Sequence, residues 1–289
     1  MNRHPVIAVI GGSGLYRMPG LEDVEEHDIQ TPFGKPSSPL FVGTLEGKRI
    51  AFLARHGIGH FLTPTEVNYR ANIYALKSMG VEHVVSVSAC GSLREDYAPG
   101  HIVVPDQLFD FTRDRKRSFF EEGLVAHIGV ADPFCPSFSE QLYAAVKSTD
   151  AVAHQGGKFI TIEGPRFSTR SESNIYRTWG LDLIGMTTSP EAYLAREAEM
   201  CYGVIAHVTD YDVWHVGEET VSVELIIKTL NKNTEFAQEA IRQLVIKMDL
   251  KRKCECPNAL DSALITDPAK IPAKTRNKLS LLVDKYLDK

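Results

Sequence analysis

The sequence predicts an α/β fold, a single domain in which helices flank a central mixed β-sheet. Short apolar runs rich in Val and Ile alternate with segments that carry helix signals, and such alternation is typical of α/β domains. Several runs are apolar throughout, as strands covered on both faces tend to be. A chain of 289 residues is long enough to bury the core that such a sheet needs.

Eight apolar runs have the length and the β-branched composition of strands. They cover residues 5–11, 39–45, 48–54, 82–89, 101–105, 157–164, 181–186 and 202–208. Because parallel strands end at the same edge of a sheet, polar residues that follow different strands are expected to meet there.

The clearest helix signals lie at residues 63–80. Thr63 is placed as the N-cap with Pro64 at the first helical position. Glu66 occupies the capping-box position, and Gly80 is the predicted stop. The segment therefore predicts a helix that begins directly after Thr63.

Further helices are predicted in the second half of the chain. Ser189, Pro190 and Glu191 open a helix in the same way, and an amphipathic pattern predicts a long helix over 220–248. After residue 249 the composition becomes basic and broken by prolines, with one more helix predicted over 275–287. We therefore assign residues 1–249 to the body of the domain and 250–289 to a C-terminal extension of it.

Charge and composition exclude several classes of protein. The net charge of −5 and the pI near 6.1 argue against a broad surface for nucleic acid or anionic membranes. No stretch approaches the roughly 18 consecutive apolar residues of a membrane span, and the N-terminal apolar run is too short for a signal peptide. Five scattered cysteines do not suggest a disulfide framework. We therefore expect a cytoplasmic protein.

No metal site is expected from the sequence. The ten histidines show neither H-E-x-x-H nor another paired metal spacing. Cys254 and Cys256 form a C-x-C, which is tighter than a usual zinc half-site. We interpret this pair as incidental, with a redox or disulfide role as the less favoured alternative.

Small, hydroxyl or cationic groups follow four of the predicted strands, and together they describe an anion pocket without metal ligands. A strand end with glycines and a hydroxyl can turn its donors toward an anion, and a guanidinium binds phosphate bidentately. The groups in question are Ser13, Arg55 with His56, Ser88 with Ala89, and Met186 with Thr187. Each signal alone also fits an ordinary turn after a strand.

The side chains of His56 and Phe167 each leave alternatives open. The sequence Arg-His-Gly at Arg55 also resembles the phosphohistidine nucleophile of histidine phosphatases and mutases, with His56 as the nucleophile. A satisfied surface histidine is a further reading of His56. Phe167, on a loop that leads into a helix, is either a core aromatic or a ring that stacks on a planar base.

Asp210 and Asp212 follow the last predicted strand. Side chains two residues apart on a strand point to the same side, so these carboxyl groups are expected to converge where a buried strand ends. Repulsion and burial there would raise a carboxyl pKa. The pair therefore predicts a binding site in which part of a ligand lies between two carboxyl groups.

Nine motifs, taken together in order, give the sequence a family resemblance. They are IGGSGL, TPFGKPS, LARHG, VNYRANIYALK, ACGSL, DPFCP, TIEGPRFSTRSES, MTTSPE and TDYDVW. From about residue 6 to residue 248 the chain closely resembles 5'-methylthioadenosine phosphorylases of the trimeric purine nucleoside phosphorylase family. The resemblance implies a nucleoside phosphorylase-like domain, a homotrimer with the active site at the subunit interface, and phosphorolysis of an N-glycosidic bond. Phosphate is a co-substrate, and no cofactor is implied.

The resemblance also assigns site residues. It implies a phosphate site made of Ser13, Arg55, His56, Ser88, Ala89 and Thr187. Met186 would lie against the ribose and Phe167 against the base. Ser13 and Ser88 stand where related sequences often have threonine, which keeps the hydroxyl donor.

The two aspartates acquire roles in such a reaction. Asp210 is our candidate general acid, holding the proton that N7 of the departing purine takes up. Asp212 can accept a hydrogen bond from the 6-amino group. Phosphorylases of 6-oxopurines resemble this chain but carry asparagine at the position of Asp210 and glutamate at that of Ser168. Both departures point to 6-aminopurines.

The pocket for the 5' group is the remaining assignment. An apolar slot suits a methylthio group, and Val223, Ile226 and Ile227 could form it, although they could equally be the core face of a helix. The family places a histidine of the adjacent subunit here, which suggests His127. Two other functions stay open: a broader phosphorylase acting on adenosine or methylthioinosine, and a module that only binds purine nucleosides.

Overall fold

The structure, a computed structural model, describes residues 4–12, 15, 18–215 and 223–287, and side chains only outside 223–233. Eleven strands are found in this part of the chain: β1 (Ile7–Gly11), β2 (Glu22–His27), β3 (Leu40–Leu45), β4 (Lys48–Ala54), β5 (His83–Ser92), β6 (Ile102–Val104), β7 (Gln107–Phe111), β8 (Ala153–Gln155), β9 (Lys158–Ile162), β10 (Leu183–Gly185) and β11 (Cys201–Asp210). Six α-helices accompany them: α1 (Tyr69–Ser78), α2 (Pro136–Lys147), α3 (Arg170–Thr178), α4 (Thr188–Glu197), α5 (Val223–Lys247) and α6 (Ala273–Leu287).

The strands form one mixed sheet in the order β2-β3-β4-β1-β5-β10-β9-β7. The central strand is β5, whose first half pairs in parallel with β1 on one edge and β11 on the other. Its last residues, Gly91 and Ser92, pair antiparallel with β10. The sheet continues beyond β11 through β6 to β8. The predicted mixed sheet is confirmed, and β1, β4, β5 and β11 all end at one edge.

Helices cover both faces of the sheet, which explains the continuous apolar runs. On β1, Ala8 and Ile10 join the cluster that contains residues of α1 and α4, whereas Ile7 and Val9 join the cluster with α2 and α5. Burying both faces in this way stabilises the sheet by roughly 25 cal/mol per Å² of apolar surface. The C-terminal segment lies on the first cluster, where Leu260 and Leu279 are buried.

All eight predicted strands are present, but three others were not predicted. The edge strand β2 is acidic and exposed, so it lacks the apolar alternation that marks a half-buried strand. The strand β8 has only three residues. The third, β7, is half-buried, and polar residues occupy two of its five positions, so it lacks the continuous apolar run of a strand covered on both faces.

The predicted start of α1 is wrong. Thr63 and Glu66 do form a reciprocal capping box, since the Thr63 N–H donates to Glu66 Oε2 over 3.0 Å and the Glu66 N–H to Thr63 Oγ1 over 3.4 Å. That box closes a separate turn, and the helix begins at Tyr69. Asn68 is its N-cap, because its side chain accepts from the Ala71 N–H. A local motif thus formed without extending into the helix.

At the start of α4 the backbone agrees with the prediction, but the role predicted for Glu191 is wrong. Ser189 has an extended conformation (φ −102°, ψ 138°), as an N-cap residue does, although the helical segment is counted from Thr188. Glu191 does not cap the helix. Its carboxylate is buried and pairs with Arg55 across the sheet.

The described part of the chain contains no helix that is both long enough and apolar enough to cross a lipid bilayer.

Candidate active site

The carboxyl ends of β4, β5 and β11 place most of the predicted residues at one edge of the sheet. Arg55 and His56 follow β4 directly, Ser88 and Ala89 belong to β5, and Asp210 ends β11. Ser13 lies outside the described residues, so its placement next to this edge stays a prediction.

Arg55 is buried and its guanidinium is bound to carboxylate. Nε and Nη2 donate to the two carboxylate oxygens of Glu191, both at 2.9 Å. Further donors reach the Val87 carbonyl oxygen at 3.1 Å and Ser86 Oγ at 2.7 Å. Burial lowers the pKa of Arg55, but the pairing with Glu191 outweighs it and the pKa lies above its ordinary value.

This pairing changes how Arg55 can serve an anion. The edge of the guanidinium that was expected to bind phosphate bidentately is bound to Glu191. The backbone N–H of Arg55 donates to the Gly11 carbonyl oxygen over 3.0 Å. Of the five guanidinium N–H groups, one on Nη1 is left over from the contacts with Glu191, Val87 and Ser86. The guanidinium of Arg55 therefore has no bidentate edge outside these contacts.

His56 is oriented by a backbone contact. Its Nδ1 lies 2.9 Å from the Leu62 carbonyl oxygen, and its ring stacks on that of His60 with centroids 4.3 Å apart. Burial, followed by the charge of Arg55, lowers the pKa of His56 to about 4. A neutral imidazole that donates from Nδ1 presents an acceptor at Nε2. The role of His56 at an anion therefore stays a prediction.

Two hydroxyl groups meet at this edge. Ser88 Oγ lies 3.5 Å from Thr187 Oγ1 and 3.4 Å from Ser86 Oγ. Thr187 precedes α4, and its side chain makes no capping hydrogen bond with the helix. Both side chains are buried. A pair of hydroxyls next to a helix N-terminus suits an anion, because the backbone N–H groups there carry a positive partial charge.

Asp210 is a buried carboxyl group with a raised pKa. Its Oδ2 accepts from Thr209 Oγ1 at 2.7 Å and its Oδ1 from the Asp212 N–H at 2.8 Å. Burial raises the pKa of Asp210 to about 6, with a further contribution from the charge of Asp212. Gly91 makes room for it, since a Cβ there would lie 3.0 Å from Asp210 Oδ1.

Asp212 comes close to Asp210 by a turn of the backbone. The strand was predicted to end at residue 208, whereas β11 extends to Asp210, and Asp212 lies beyond it with a φ of 52°. The alternation of a strand therefore does not bring the two residues together; the contact is the hydrogen bond from the Asp212 N–H to Asp210 Oδ1. Burial raises the pKa of Asp212, and the hydroxyls of Ser168 and Ser173 beside it act in the opposite direction.

Three buried polar side chains lie together at this point. The hydroxyls of Ser168 and Ser173 lie beside the Asp212 carboxylate and act to lower its pKa against the effect of burial, although neither makes a hydrogen bond of good geometry to Asp212 Oδ2. The cluster offers both donors and an acceptor in a buried position.

Phe167 and Met186 lie on two loops beside the acids. Phe167 is 40% exposed, so the alternative of a core aromatic is wrong. Met186 packs partly against the small cluster around Ile160 and Ile184. Its Sδ would lie 2.6 Å from a Cβ at Gly164, a residue with a φ of 67°. Glycine is thus required where the Phe167 loop passes the methionine.

Arg115, which was not predicted from the sequence, connects the loops of the site through hydrogen bonds. Its guanidinium donates to the carbonyl oxygens of Met186, Ser189 and Glu163, each at 2.7 Å, and to Tyr69 Oη at 3.1 Å. A lone arginine in a polar stretch gives no signal of such contacts. The hydrogen bonds fix Met186 relative to the base loop and to the start of α4.

Glu163 supports the same loop from outside. Its carboxylate accepts from Thr65 Oγ1 and from the backbone N–H groups of Arg113 and Asp114. Burial raises the pKa of Glu163, but these hydrogen bonds outweigh it and lower the pKa to about 2. A cavity of about 230 Å³ adjoins Glu163 and is lined by residues such as Phe111 and Tyr176. Neither Asp210 nor Asp212 lines that cavity, so it lies beside the candidate site.

The residues predicted for the 5' pocket are not brought together here. His127 is exposed, and its N–H donates to the Ala263 carbonyl oxygen at 2.9 Å on the C-terminal segment. Val223, Ile226 and Ile227 fall in the first turns of α5, where side chains lie outside the described residues. A slot formed by these residues therefore stays a prediction.

The chain matches known proteins over nearly its whole length. The pattern of the Phosphorylase superfamily matches residues 6–246. A relative from Geobacter sulfurreducens, named S-methyl-5'-thioadenosine phosphorylase, is 54% identical over 98% of this chain and 99% of its own length. Relatives of the same name from Koribacter versatilis and Chloroflexus aurantiacus are each 51% identical over 97% of this chain, covering 96% and 98% of their own lengths.

Solved structures give the same result. A methylthioadenosine phosphorylase from an antarctic soil metagenomic library superposes with a TM-score of 0.93 at 46% identity, covering 98% of this chain and all of that one. The Schistosoma mansoni methylthioadenosine phosphorylase in complex with adenine has a TM-score of 0.83 at 36% identity, covering 89% and 98%. The chain therefore belongs to the phosphorylase superfamily and, within it, to the family of S-methyl-5'-thioadenosine phosphorylases.

Proposed function

We propose that this protein cleaves 5'-methylthioadenosine with inorganic phosphate to give adenine and 5-methylthioribose 1-phosphate. The observation that carries the proposal is the pair of buried carboxyl groups, Asp210 and Asp212, at the sheet edge that also holds the Ser88 and Thr187 hydroxyls. A proton donor beside an anion site is what phosphorolysis of a nucleoside requires. Phosphohistidine chemistry at His56 would give the two acids no role.

In the proposed reaction Asp210 protonates the leaving base. As the glycosidic bond breaks, the purine accumulates negative charge, and a proton on N7 relieves it. With a pKa of about 6, about a tenth of Asp210 is protonated at pH 7 in the free protein. Proton donation and proton recovery are then both accessible near neutral pH.

Asp212 selects the base by the same chemistry. Its carboxylate, beside which the Ser168 and Ser173 hydroxyls lie, would accept a hydrogen bond from the 6-amino group of adenine. Hypoxanthine would present an oxygen to that carboxylate, so that two acceptors would face each other. Sites that bond a substrate amino group reject the analogue without it by several orders of magnitude.

The phosphate is proposed to bind at the hydroxyls of Ser88 and Thr187 and beside the one free N–H of Arg55. Ala89 lets the anion approach β5 because it adds little bulk. His56 would accept a proton from phosphate at Nε2, or become a donor once the anion's charge raises its pKa. We propose that no cofactor takes part, since the nucleophile and the proton donor are both accounted for.

The decisive experiment measures base release from 5'-methylthioadenosine, methylthioinosine, adenosine and inosine, with and without phosphate. Phosphate-dependent release of adenine from 5'-methylthioadenosine in preference to the others is the expected result. Comparable rates on adenosine would show that the 5' slot is not selective and would favour the broader phosphorylase. Release that does not need phosphate would contradict the proposal, as would preferential release of hypoxanthine. Binding without turnover would favour the purine-binding module.

Ser88 offers a test of the phosphate site. Replacing Ser88 with Ala removes a hydroxyl donor to a charged ligand, a contact worth about 1.5–3 kcal/mol. We expect KM for phosphate to rise by about ten- to hundredfold while KM for the nucleoside changes little. Ser88→Thr, which keeps the hydroxyl, is the matched control and should stay near the parent value. An unchanged phosphate KM in Ser88→Ala would place the anion elsewhere.

A homotrimer that completes the site is also proposed. The exposed His127 would reach the 5' end of a nucleoside bound to the neighbouring subunit. Light scattering is expected to give the mass of three 32.1-kDa chains, and His127→Ala should raise KM for 5'-methylthioadenosine by about tenfold without affecting phosphate. A fully active monomer in dilute solution would exclude a shared site.

A further inference from the structure

Four of the five cysteines converge far from the candidate active site. The sulfur atoms of Cys135, Cys201, Cys254 and Cys256 all lie within 4.8 Å of one another. Cys201 Sγ and Cys254 Sγ are 3.4 Å apart. All four are free thiols, and all are buried except the half-buried Cys254. Their positions in the sequence gave no hint of this, because no two except the C-x-C pair are near each other.

The four thiols come from three separate segments of the chain that the fold brings together. Cys135 is the N-cap residue of α2, and its N–H donates to the Tyr202 carbonyl oxygen over 2.9 Å. Cys201 is the first residue of β11. Cys254 and Cys256 lie on the C-terminal segment, where Cys256 begins a short 3₁₀ turn. Two ligands thus belong to the body of the domain and two to its extension.

We propose that these four cysteines bind a structural Zn²⁺ ion. A tetrahedral site with Zn–S bonds of about 2.3 Å places its sulfur atoms about 3.8 Å apart, which lies between the observed 3.4 Å contact and the 4.8 Å limit. Thiolate sulfur is a soft ligand that selects zinc over the hard cations. Two disulfides would require closeness only within each pair, whereas here every sulfur is near the other three.

The surroundings suit the charge of such a site. Four thiolates around one Zn²⁺ carry a net charge of −2, which needs outer partners. Arg196 Nη1 lies 3.6 Å from Cys256 Sγ, and Arg196 Nη2 is anchored by the Asp132 carbonyl oxygen at 2.6 Å. Ser137 Oγ lies 3.5 Å from Cys135 Sγ at the positive end of α2.

The ion would link the C-terminal segment to the start of α2 and to the start of β11. Apart from the ion, the segment is held by buried apolar residues such as Leu260 and by polar contacts such as Lys285 with Glu199 and Arg252 with Glu82. Zinc bound at the start of β11 would lie about 30 Å along that strand from Asp210 at its other end. Its role would therefore be structural and independent of the proposed reaction.

The test is zinc content. The full chain, produced with zinc in the medium and purified under reducing conditions, is expected to contain one zinc per chain by elemental mass spectrometry. Cobalt in place of zinc should give the intense visible bands of a tetrahedral thiolate site. Cys254→Ser, at the least buried ligand, should lower zinc affinity by about a hundredfold in chelator competition. Cys90→Ser is the matched control, because Cys90 Sγ contacts the His207 carbonyl oxygen instead and zinc should stay at one per chain.

Four results would overturn the proposal. One is reduced protein that retains no zinc after incubation with the metal and desalting. Another is zinc that remains at full affinity in Cys254→Ser, and a third is mass spectrometry showing two disulfides in metal-free protein freshly isolated from cells. Chelation offers a measurement that needs no variant. It is expected to lower the thermal midpoint of the parent protein, and an unchanged midpoint in zinc-loaded protein would exclude a structural ion.

Discussion

Replacing Asp210 with Asn is expected to lower kcat/KM for 5'-methylthioadenosine by about 10²- to 10⁴-fold, the usual contribution of a general acid. The asparagine amide cannot supply a proton to N7. It can instead donate a hydrogen bond, so we expect relative preference to shift toward methylthioinosine. The measurement is kcat/KM for both nucleosides under saturating phosphate.

The pH dependence provides an independent readout of the same residue. Burial raises the pKa of Asp210 to about 6, and the protonated form is the active one. The parent kcat/KM is therefore expected to fall about tenfold per pH unit above pH 6. Asp210→Asn has no proton to lose and should not show this decline. Because both proteins experience the same ionisation of phosphate, the difference between the two profiles isolates Asp210.

Asp212→Asn is the matched control for the acid. It keeps the side-chain volume and replaces the carboxylate acceptor that is proposed to face the base. The preference for 6-aminopurines should therefore weaken, while kcat/KM should still decline above pH 6. If Asp210→Asn lost only rate and kept its full preference for the 6-amino substrate, base recognition by Asp210 would be refuted. A decline in Asp210→Asn identical to that of the parent would assign the titration to another group.

Replacing Glu191 with Ala is expected to destabilise the protein by about 3–5 kcal/mol, the cost of leaving one partner of a buried ion pair uncompensated. Arg55 and Glu191 are both buried and paired through two hydrogen bonds of 2.9 Å. Tyr202 Oη also donates to Glu191 Oε1 over 2.8 Å and would lose its partner. In a protein of this size the thermal midpoint should fall on the order of 10 °C.

Two further variants distinguish the cost of leaving a buried charge unpaired from the cost of lost packing. Asp96→Asn breaks the exposed pair with Arg94 and should cost at most about 1 kcal/mol. The double variant Arg55→Leu with Glu191→Leu removes both charges and should recover much of the stability lost in Glu191→Ala. A Glu191→Ala midpoint no lower than that of Asp96→Asn would show that the buried pair contributes little.

The sequence predicted well where burial and chemistry are local. The strand runs, such as that of β1, were visible because both faces of each strand are covered. Ser88 and Thr187 follow from hydroxyls at strand ends, and the structure brings them together. Asp210 and Asp212 converge as expected, although through a turn at Asp212.

Contacts between distant segments could not be predicted in the same way. Arg115 reaches Met186 and Ser189 more than seventy positions away, and no local pattern encodes such a pairing. Glu191 was misassigned because its position fits a helix cap, whereas the buried charge of Arg55 is the stronger attraction. The cysteine cluster was missed for the same reason, since ligand spacing is informative only when the ligands are close in sequence.

The central position of β5 has a consequence for flexibility. Over residues 83–86 the strand is buried and pairs with β1 on one edge and with β11 on the other, so the amide protons of this part should exchange with solvent only when the whole domain opens. Ser88 and Ala89 continue the same strand and pair with β11. Phe167, by contrast, stands on an exposed loop. Under the proposed function, phosphate would therefore bind against a strand that the sheet holds in place, and adjustment to different nucleosides would occur on the Phe167 side of the pocket.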